Sequence, residues 1–204
     1  MQVLTFECTP FVENCYILED EGEAIVIDPG EVTPRMRLTL GGLKVKMVFN
    51  THCHIDHSGG NAEMVRLTRA PLVCHAADLP LLRALPQQAR LFGVEAEESP
   101  DPDNFVEEGD EILVGRVTMK VLHTPGHAPG HVSLLGDGFV FSGDVLFSGS
   151  IGRTDLPGGD YEQLLQSIKK HLLPLPDKTV VYCGHGPATT IGQERKSNPF
   201  LKGL

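Results

Sequence analysis

Four potential metal donors fall within six consecutive positions of this chain. Residues 51–60 read T-H-C-H-I-D-H-S-G-G and contain His52, His54, Asp56 and His57. Three imidazoles and a carboxylate that shared one pocket without a cation would lose their solvation at high cost. The spacing therefore predicts either a solvated loop or a metal site, and the density of donors favours the metal site.

Further candidate ligands follow later apolar runs of the sequence. His127, Asp144 and His185 each come directly after a glycine, a few residues past the end of such a run. Glycine lets a backbone approach a crowded centre closely, and layered α/β folds usually bind ligands beyond the carboxyl ends of strands. We therefore expect these residues to share a site with the first cluster. Asp28 also follows an apolar run but has no His neighbour, so we expect it to orient a ligand His by accepting its N–H.

The elements that would position these residues can be read from β-branched and aromatic runs bounded by turn residues. They predict strands at Val3–Phe6, Cys15–Leu18, Ala24–Asp28, Lys44–Asn50, Pro71–Cys74, Ile112–Val114, Val117–Leu122, Val132–Leu135, Phe139–Phe141 and Thr179–Tyr182. Helices are predicted at Asn61–Arg69, at Ala76–Leu85 and from Asp160 to His171, where Asp160 and Gln163 resemble a capping box. Pro86–Asn104, acidic and proline-rich, is predicted to be a surface excursion. Two groups of strands with interleaved helices indicate two sheets between helical layers.

Composition limits the classes of function. The 204 residues suit one domain with an ample core. A net charge of −10 without a basic block argues against nucleic acid and anionic membranes as partners. No apolar run is long enough for a membrane span, and the first residues do not resemble a signal peptide. Five cysteines without C-x-x-C spacing indicate reduced thiols, so we expect a cytoplasmic protein.

Taken together, T-H-C-H-I-D-H, T-P-G-H, S-G-D and C-G-H, in this order, resemble the metallo-β-lactamase superfamily. More narrowly, T-P-G-H-A-P-G-H, S-G-D-V-L-F and G-H-G-P-A-T-T-I-G-Q-E-R-K-S-N-P-F resemble its glyoxalase II branch, the hydroxyacylglutathione hydrolases. The resemblance implies an α/β fold, an αβ/βα four-layer sandwich of two mixed β-sheets flanked by helices. It also implies a single metallo-β-lactamase-like domain over residues 1–204, without the C-terminal helical domain of full-length glyoxalase II.

The same resemblance implies a binuclear metal centre. One divalent metal ion would be held by His52, His54 and His127, the second by Asp56, His57 and His185, and Asp144 would bridge both. Imidazole and carboxylate donors without a thiolate suit Zn²⁺ and also Fe or Mn. Asp56 would in addition orient a metal-bound hydroxide.

Two residues outside this ligand set are further candidates. His131, the second His of T-P-G-H-A-P-G-H, is expected to be structural or to support a ligand from behind. Arg153, in G-R-T-D-L-P, is the candidate for binding an anionic group of the substrate. The alternative for Arg153 is a structural salt bridge with Asp155 or another neighbour.

The activity implied is hydrolysis of a small-molecule thioester, hydroxyacylglutathione or a related compound, by a metal-bridging hydroxide. A first alternative is a mononuclear-iron persulfide dioxygenase, in which His52, His127 and Asp144 would form a two-His-one-carboxylate triad. Retention of His185 as a second-site ligand favours the hydrolase. A second alternative is a non-catalytic metal-binding protein, which the presence of all seven ligands disfavours.

Overall fold

The structure, a computed structural model, describes all residues from Met1 to Leu204 and contains two compact units. The first unit comprises Met1–Val106 and Leu113–Thr118, and the second comprises Glu107–Ile112 and Met119–Leu204. Two six-stranded mixed sheets, flanked by helices, confirm the predicted fold class. A single domain over residues 1–204 stays a prediction. No helix combines the length and the apolarity that crossing a membrane requires.

The first sheet carries the segment that contains the His cluster. In spatial order it consists of β1 (Gln2–Cys8), β2 (Glu13–Asp20), β3 (Glu23–Ile27), β4 (Lys44–Phe49), β5 (Leu72–His75) and β6 (Asn104–Val106). The first three strands pair antiparallel, whereas β3 to β6 pair in parallel. Ile27 lies opposite Phe49, so the residues that follow β3 and β4 leave the sheet at the same edge.

Five helices flank this sheet: α1 (Pro34–Leu40), α2 (Ile55–Ser58), α3 (Asn61–Thr68), α4 (Leu79–Arg83) and α5 (Leu85–Phe92). A 3₁₀ turn at Ala76–Asp78 precedes α4. Met36 of α1 and Met64 of α3 are fully buried in the same core as Val26 and Val48 of the sheet. Cys53 is also fully buried in this core.

The second sheet and a small hairpin contain the remaining strands. They are β7 (Glu111–Val114), β8 (Val117–His123), β9 (Val132–Gly136), β10 (Phe139–Gly143), β11 (Leu146–Phe147), β12 (Ser150–Ile151), β13 (Val180–Cys183) and β14 (Thr189–Thr190). The sheet order is β14-β13-β10-β9-β8-β7, and β11 pairs with β12 alone. β10 and β13 are parallel, with Gly143 opposite Cys183. The residues after these two strands therefore emerge side by side.

Helix α6 (Tyr161–Ser167) and the π-helical turn Ile168–Leu172 cover this second sheet. The Asp160 side chain accepts a hydrogen bond from Gln163 N at 2.9 Å, which confirms the predicted helix start. Leu164, Ile168 and Leu172, spaced four residues apart, are fully buried in one core. Helix α7 (Ile191–Ser197) and a 3₁₀ turn at Pro199–Leu201 complete the chain.

The structure differs from the sequence prediction mainly around residues 76–104. The first part of the predicted Pro86–Asn104 excursion is helix α5, because Pro86 occupies the first turn, where a missing N–H costs nothing. The helix predicted at Ala76–Leu85 is interrupted instead, and α4 ends at Arg83. No prediction covered α1.

The predicted cap of α3 is also wrong. The N-cap of this helix is Gly60. The Asn61 amide donates to Asn50 Oδ1 at 2.7 Å, and the Asn50 amide donates to His57 O at 3.0 Å. This buried amide pair ties the start of α3 to the end of β4, across the segment that carries the His cluster.

Candidate functional site

The four donors of the first cluster lie together in the first unit. The ring centroid of His52 is 4.9 Å from that of His54 and 4.2 Å from that of His57. His52 and His57 are fully buried, and His54 is almost so. Asp56, whose side chain is 18% exposed, places Oδ2 at 3.8 Å from His57 Nε2. Buried imidazoles beside a partly accessible carboxylate agree with the metal-site interpretation rather than with a solvated loop.

The Asp28 carboxylate contacts both His57 and the Thr51 backbone of this cluster. It follows β3 with a φ of +53° and accepts hydrogen bonds from Thr51 N at 2.7 Å and from the Thr51 hydroxyl at 2.6 Å. Its Oδ2 also lies 3.2 Å from His57 Nδ1, the contact that the predicted orienting role requires. The donor atoms of Asp28, His52 and His57 lie within 4.8 Å of one another, so Asp28 is itself within reach of a metal.

The hydrogen-bond partners of His52 and His57 determine where each ring carries its proton. An ionised Asp28 can only accept, so His57 Nδ1 is the donor in that contact. The Thr51 hydroxyl hydrogen is used on Asp28, so Thr51 Oγ1, 3.1 Å from His52 Nδ1, accepts from that ring. Both rings therefore keep a lone pair on Nε2, the protonation state that metal coordination through Nε2 requires.

Glu13 is a buried carboxyl that the sequence analysis did not identify. It is fully buried at the start of β2, and its Oε1 lies 3.9 Å from His57 Nδ1. Neither carboxyl oxygen has a hydrogen-bond partner, and burial raises the pKa of Glu13 well above its ordinary value. A Cβ at Gly30 would lie 1.8 Å from Asp56 O and 2.8 Å from Glu13 Oε2. Only glycine permits this close approach.

In the second unit, Asp144 lies between two imidazoles. Asp144 Oδ2 is 3.5 Å from His127 Nε2 and 3.6 Å from His185 Nε2. Asp144 directly follows β10 and His185 follows β13, so these two predicted donors stand past strand ends as expected. One carboxylate oxygen therefore lies close to two ring nitrogens, and the bridging role of Asp144 stays a prediction.

Two further contacts orient the histidines of this cluster. His127 Nδ1 donates to Arg153 O at 2.7 Å, which leaves a lone pair on His127 Nε2. His131 Nε2 accepts from Asp144 N at 3.1 Å, and its Nδ1 donates to Thr124 Oγ1 at 3.0 Å. Both nitrogens of His131 are thus engaged with protein atoms, one of them the backbone N–H of Asp144, and its supporting role at the metal site stays a prediction.

The Arg153 side chain forms the ion pair that the sequence analysis left open. Its Nε and Nη2 donate to the two carboxylate oxygens of Asp155, both at 2.7 Å. This exposed pair holds the pKa of Asp155 at about 2. Binding of a substrate anion by Arg153 stays a prediction, and it would compete with Asp155.

The explanation offered for the glycine before His127 is wrong. Gly126 has a φ of +132°, and a Cβ there would lie 2.3 Å from Leu164 N. The glycine is required by the backbone of helix α6, not by close approach to a ligand site.

The donor chemistry of both clusters fits divalent metal ions. Imidazoles with Nδ1 bound to oxygen and Nε2 left basic are typical of metal-ligating histidines. All five cysteines are buried and none forms a disulfide, and the groups of donors that could hold a metal contain only His and Asp. Burial raises the pKa of Cys183 to about 12. The partition of the ligands between two metal ions and the identity of the metal stay predictions.

Comparison with known proteins identifies the family. A sequence profile of the Metallo-beta-lactamase superfamily matches residues 8–185. The chain is 39% identical to Hydroxyacylglutathione hydrolase GloC of Haemophilus influenzae, over 98% of each chain.

Three solved structures share the fold. A B3 metallo-beta-lactamase, BLEG-1, matches with a TM-score of 0.91 and 38% identity, over 99% of this chain and all of that one. TTHA1623, in a di-iron-bound form, matches with a TM-score of 0.88 and 42% identity, over 97% of this chain and all of that one. ETHE1 from Myxococcus xanthus has a TM-score of 0.78 and 29% identity, over 98% and 84% of the two chains. This chain belongs to the metallo-beta-lactamase superfamily, with relatives of the glyoxalase II type.

Proposed function

We propose that this protein is a binuclear metal-dependent hydrolase that cleaves the thioester of hydroxyacylglutathione or a close analogue. The observation that carries the substrate class is the similarity to the Haemophilus hydroxyacylglutathione hydrolase over nearly the full length of both chains. The metal-dependent part of the proposal is supported by the buried His and Asp donors. We further propose that the enzyme works in the cytoplasm on a small molecule, without nucleic acid or membrane partners.

The proposed ligand sets follow the family motif. His52, His54 and His127 would hold one metal ion, Asp56, His57 and His185 the second, and Asp144 both. Zn²⁺ is the first metal to test, followed by Fe and Mn, since the donors suit all three. The di-iron form of TTHA1623 makes iron a necessary comparison.

Bound divalent cations would supply a hydroxide nucleophile near neutral pH and polarise the substrate carbonyl. The oxygen of water bonds to the carbonyl carbon, the C–S bond breaks, and a carboxylic acid and a free thiol leave. Within the protein, Asp56 would accept a hydrogen bond from the attacking water and so direct its lone pair at the carbonyl carbon. Asp28, Thr51 and the Arg153 carbonyl keep their ring partners protonated on Nδ1, so the coordinating nitrogens stay basic.

The test combines metal analysis with a thioester assay. We expect two metal ions per chain, hydrolysis of S-lactoylglutathione, and loss of activity on chelation. His54→Ala and Asp144→Ala are expected to lower the metal content and to lower turnover at least about 100-fold. His171→Ala is the matched control, because His171 lies in the π-helical turn Ile168–Leu172 and pairs with Glu108 rather than with a donor of either cluster. Full turnover in either ligand variant with metal verified absent would refute the mechanism.

A persulfide dioxygenase is the second candidate, and the similarity to ETHE1 is the observation that supports it. In that case His52, His127 and Asp144 would hold a single iron with open positions for O₂. One iron per chain and oxygen consumption with glutathione persulfide would establish this activity over the hydrolase. Inertness of the metal-loaded protein towards thioesters and persulfide would favour a non-catalytic metal-binding role.

A further inference from the structure

The Gln88 carboxamide holds the backbone on both sides of His54. Gln88 Oε1 accepts from Ile55 N at 3.0 Å, and Gln88 Nε2 donates to Cys53 O at 3.2 Å. Cys53 and Ile55 are the two residues that flank His54 in the chain. One side chain from helix α5 therefore fixes a donor and an acceptor of the backbone that carries this histidine.

Two aspartates complete the support of the same segment. Thr51 N donates to Asp28 Oδ1 at 2.7 Å, and Cys53 N donates to Asp78 Oδ2 at 2.9 Å. With Gln88, alternate backbone N–H groups from 51 to 55 thus bind side-chain oxygens from three separate segments of the chain. These residues lie outside any strand, so side-chain hydrogen bonds take the place of the backbone hydrogen bonds that a β-sheet would supply. His52 and His54 lie between the residues whose N–H groups are bound in this way.

Gln88 is itself held in one orientation. Helix α5 is anchored by the buried residues Leu85 and Ala89, and Gln88 Nε2 donates a second hydrogen bond to Leu81 O at 2.9 Å. The amide nitrogen thus faces two carbonyl oxygens, while the amide oxygen faces an N–H. A glutamate of the same shape could keep the bond from Ile55 but would place a carboxylate oxygen against both carbonyls.

We propose that Gln88 is a positioning residue of the metal site, which sets metal affinity by fixing the backbone around His54. This inference rests on the proposed metal-dependent function, and it adds a residue that lies outside the ligand motif. Residues that orient metal ligands through hydrogen bonds typically change metal affinity by about 10- to 100-fold when removed.

The experiment measures metal dissociation constants for Gln88→Leu and Gln88→Glu by Zn²⁺ titration against a competing chelator. Gln88→Leu is expected to weaken the metal site that contains His54 about 10- to 100-fold, and Gln88→Glu to weaken it at least as much, because a carboxylate oxygen would then oppose the carbonyl oxygens of Cys53 and Leu81. Gln87→Leu is the matched control, since Gln87 is its exposed neighbour on α5. Its dissociation constant should stay within twofold of the parent value.

Amide exchange in the metal-free protein separates positioning from general destabilisation. In Gln88→Leu, exchange at Ile55 is expected to accelerate at least about tenfold, while Val48 and Phe49 in the core of β4 keep their protection. Parent-like metal affinity in a folded Gln88→Leu protein, or equal acceleration throughout β4, would overturn the inference. Neither readout involves a thioester, so an inactive parent that binds metal would contradict the proposed function and leave this inference standing.

Discussion

Asp28→Asn is the substitution that most directly tests how this protein prepares a histidine for metal. Asp28 accepts from Thr51 N, the Thr51 hydroxyl and His57 Nδ1. Asparagine tolerates the left-handed backbone at position 28, so the change is confined to the side chain. In one orientation its NH₂ group faces His57 Nδ1, and in the other it faces the Thr51 N–H.

The first orientation forces the proton of His57 onto Nε2 and removes the lone pair available to a metal. The second leaves two N–H groups opposed, with one buried donor unsatisfied. Replacing charge-assisted bonds by weaker neutral ones is expected to cost about 1–3 kcal/mol of unfolding free energy. Metal affinity is expected to fall about 10- to 100-fold, which corresponds to about 1.4–2.8 kcal/mol.

The assay pairs urea unfolding of the metal-free protein with Zn²⁺ titration against a competing chelator. Asp101→Asn is the matched control, because its carboxylate is exposed and pairs with Arg83 at the surface. This control should leave both readouts nearly unchanged, since exposed ion pairs contribute at most about 1 kcal/mol. If Asp28→Asn binds both metal ions as tightly as the parent, Asp28 does not determine the protonation of His57.

Three further predictions concern stability, each measured by urea unfolding. Gly126→Ala should cost about 2–5 kcal/mol from strain and overlap, whereas Gly138→Ala, at a φ of +79° with open space around it, should cost about 1 kcal/mol; equal costs would contradict the close-packing argument. Leu164→Ala should cost about 2–5 kcal/mol and the partly buried Leu165→Ala clearly less; the reverse order would refute the assigned core. Because burial raises the pKa of Glu13 well above its ordinary value, the folded protein holds this proton more tightly than the unfolded chain, and the unfolding free energy falls as pH rises above that ordinary value. Metal-free Glu13→Gln should therefore be more stable than the parent at about pH 7 and equal to it at about pH 4, and a parent-like pH profile would show that Glu13 does not titrate in this way.

Much of the fold was predictable because its signals are local. Most strands are predictable from runs of β-branched and aromatic residues, whereas the short strands β6, β11, β12 and β14 have no such signal. Asp160 was correctly placed as a helix cap, because the N–H that it binds is only three residues away. The first donor cluster was recognisable because its four members lie within six positions.

The errors arose where tertiary packing outweighed a local signal. Pro86 signals a helix break, yet it lies in the first turn of α5, where the buried Leu85 and Ala89 stabilise the helix. Asn61 is a residue type that commonly caps helices, but its amide forms a hydrogen bond with Asn50 in the buried pair instead. In both cases the deciding interaction is with residues distant in the sequence, and the local propensity of a segment carries no information about them.

The sequence alone determined the chemistry available to this protein: which side chains are donors, and that several follow strands. Only the tertiary structure decided how those donors are oriented. Gln88 is 33 residues from Ile55 and 35 from Cys53, and Asp28 is 29 from His57. Such contacts depend on how separate helices and strands pack, which the local pattern of residues does not encode. Donor identity is a property of single residues, whereas ring protonation and backbone support are properties of the folded neighbourhood.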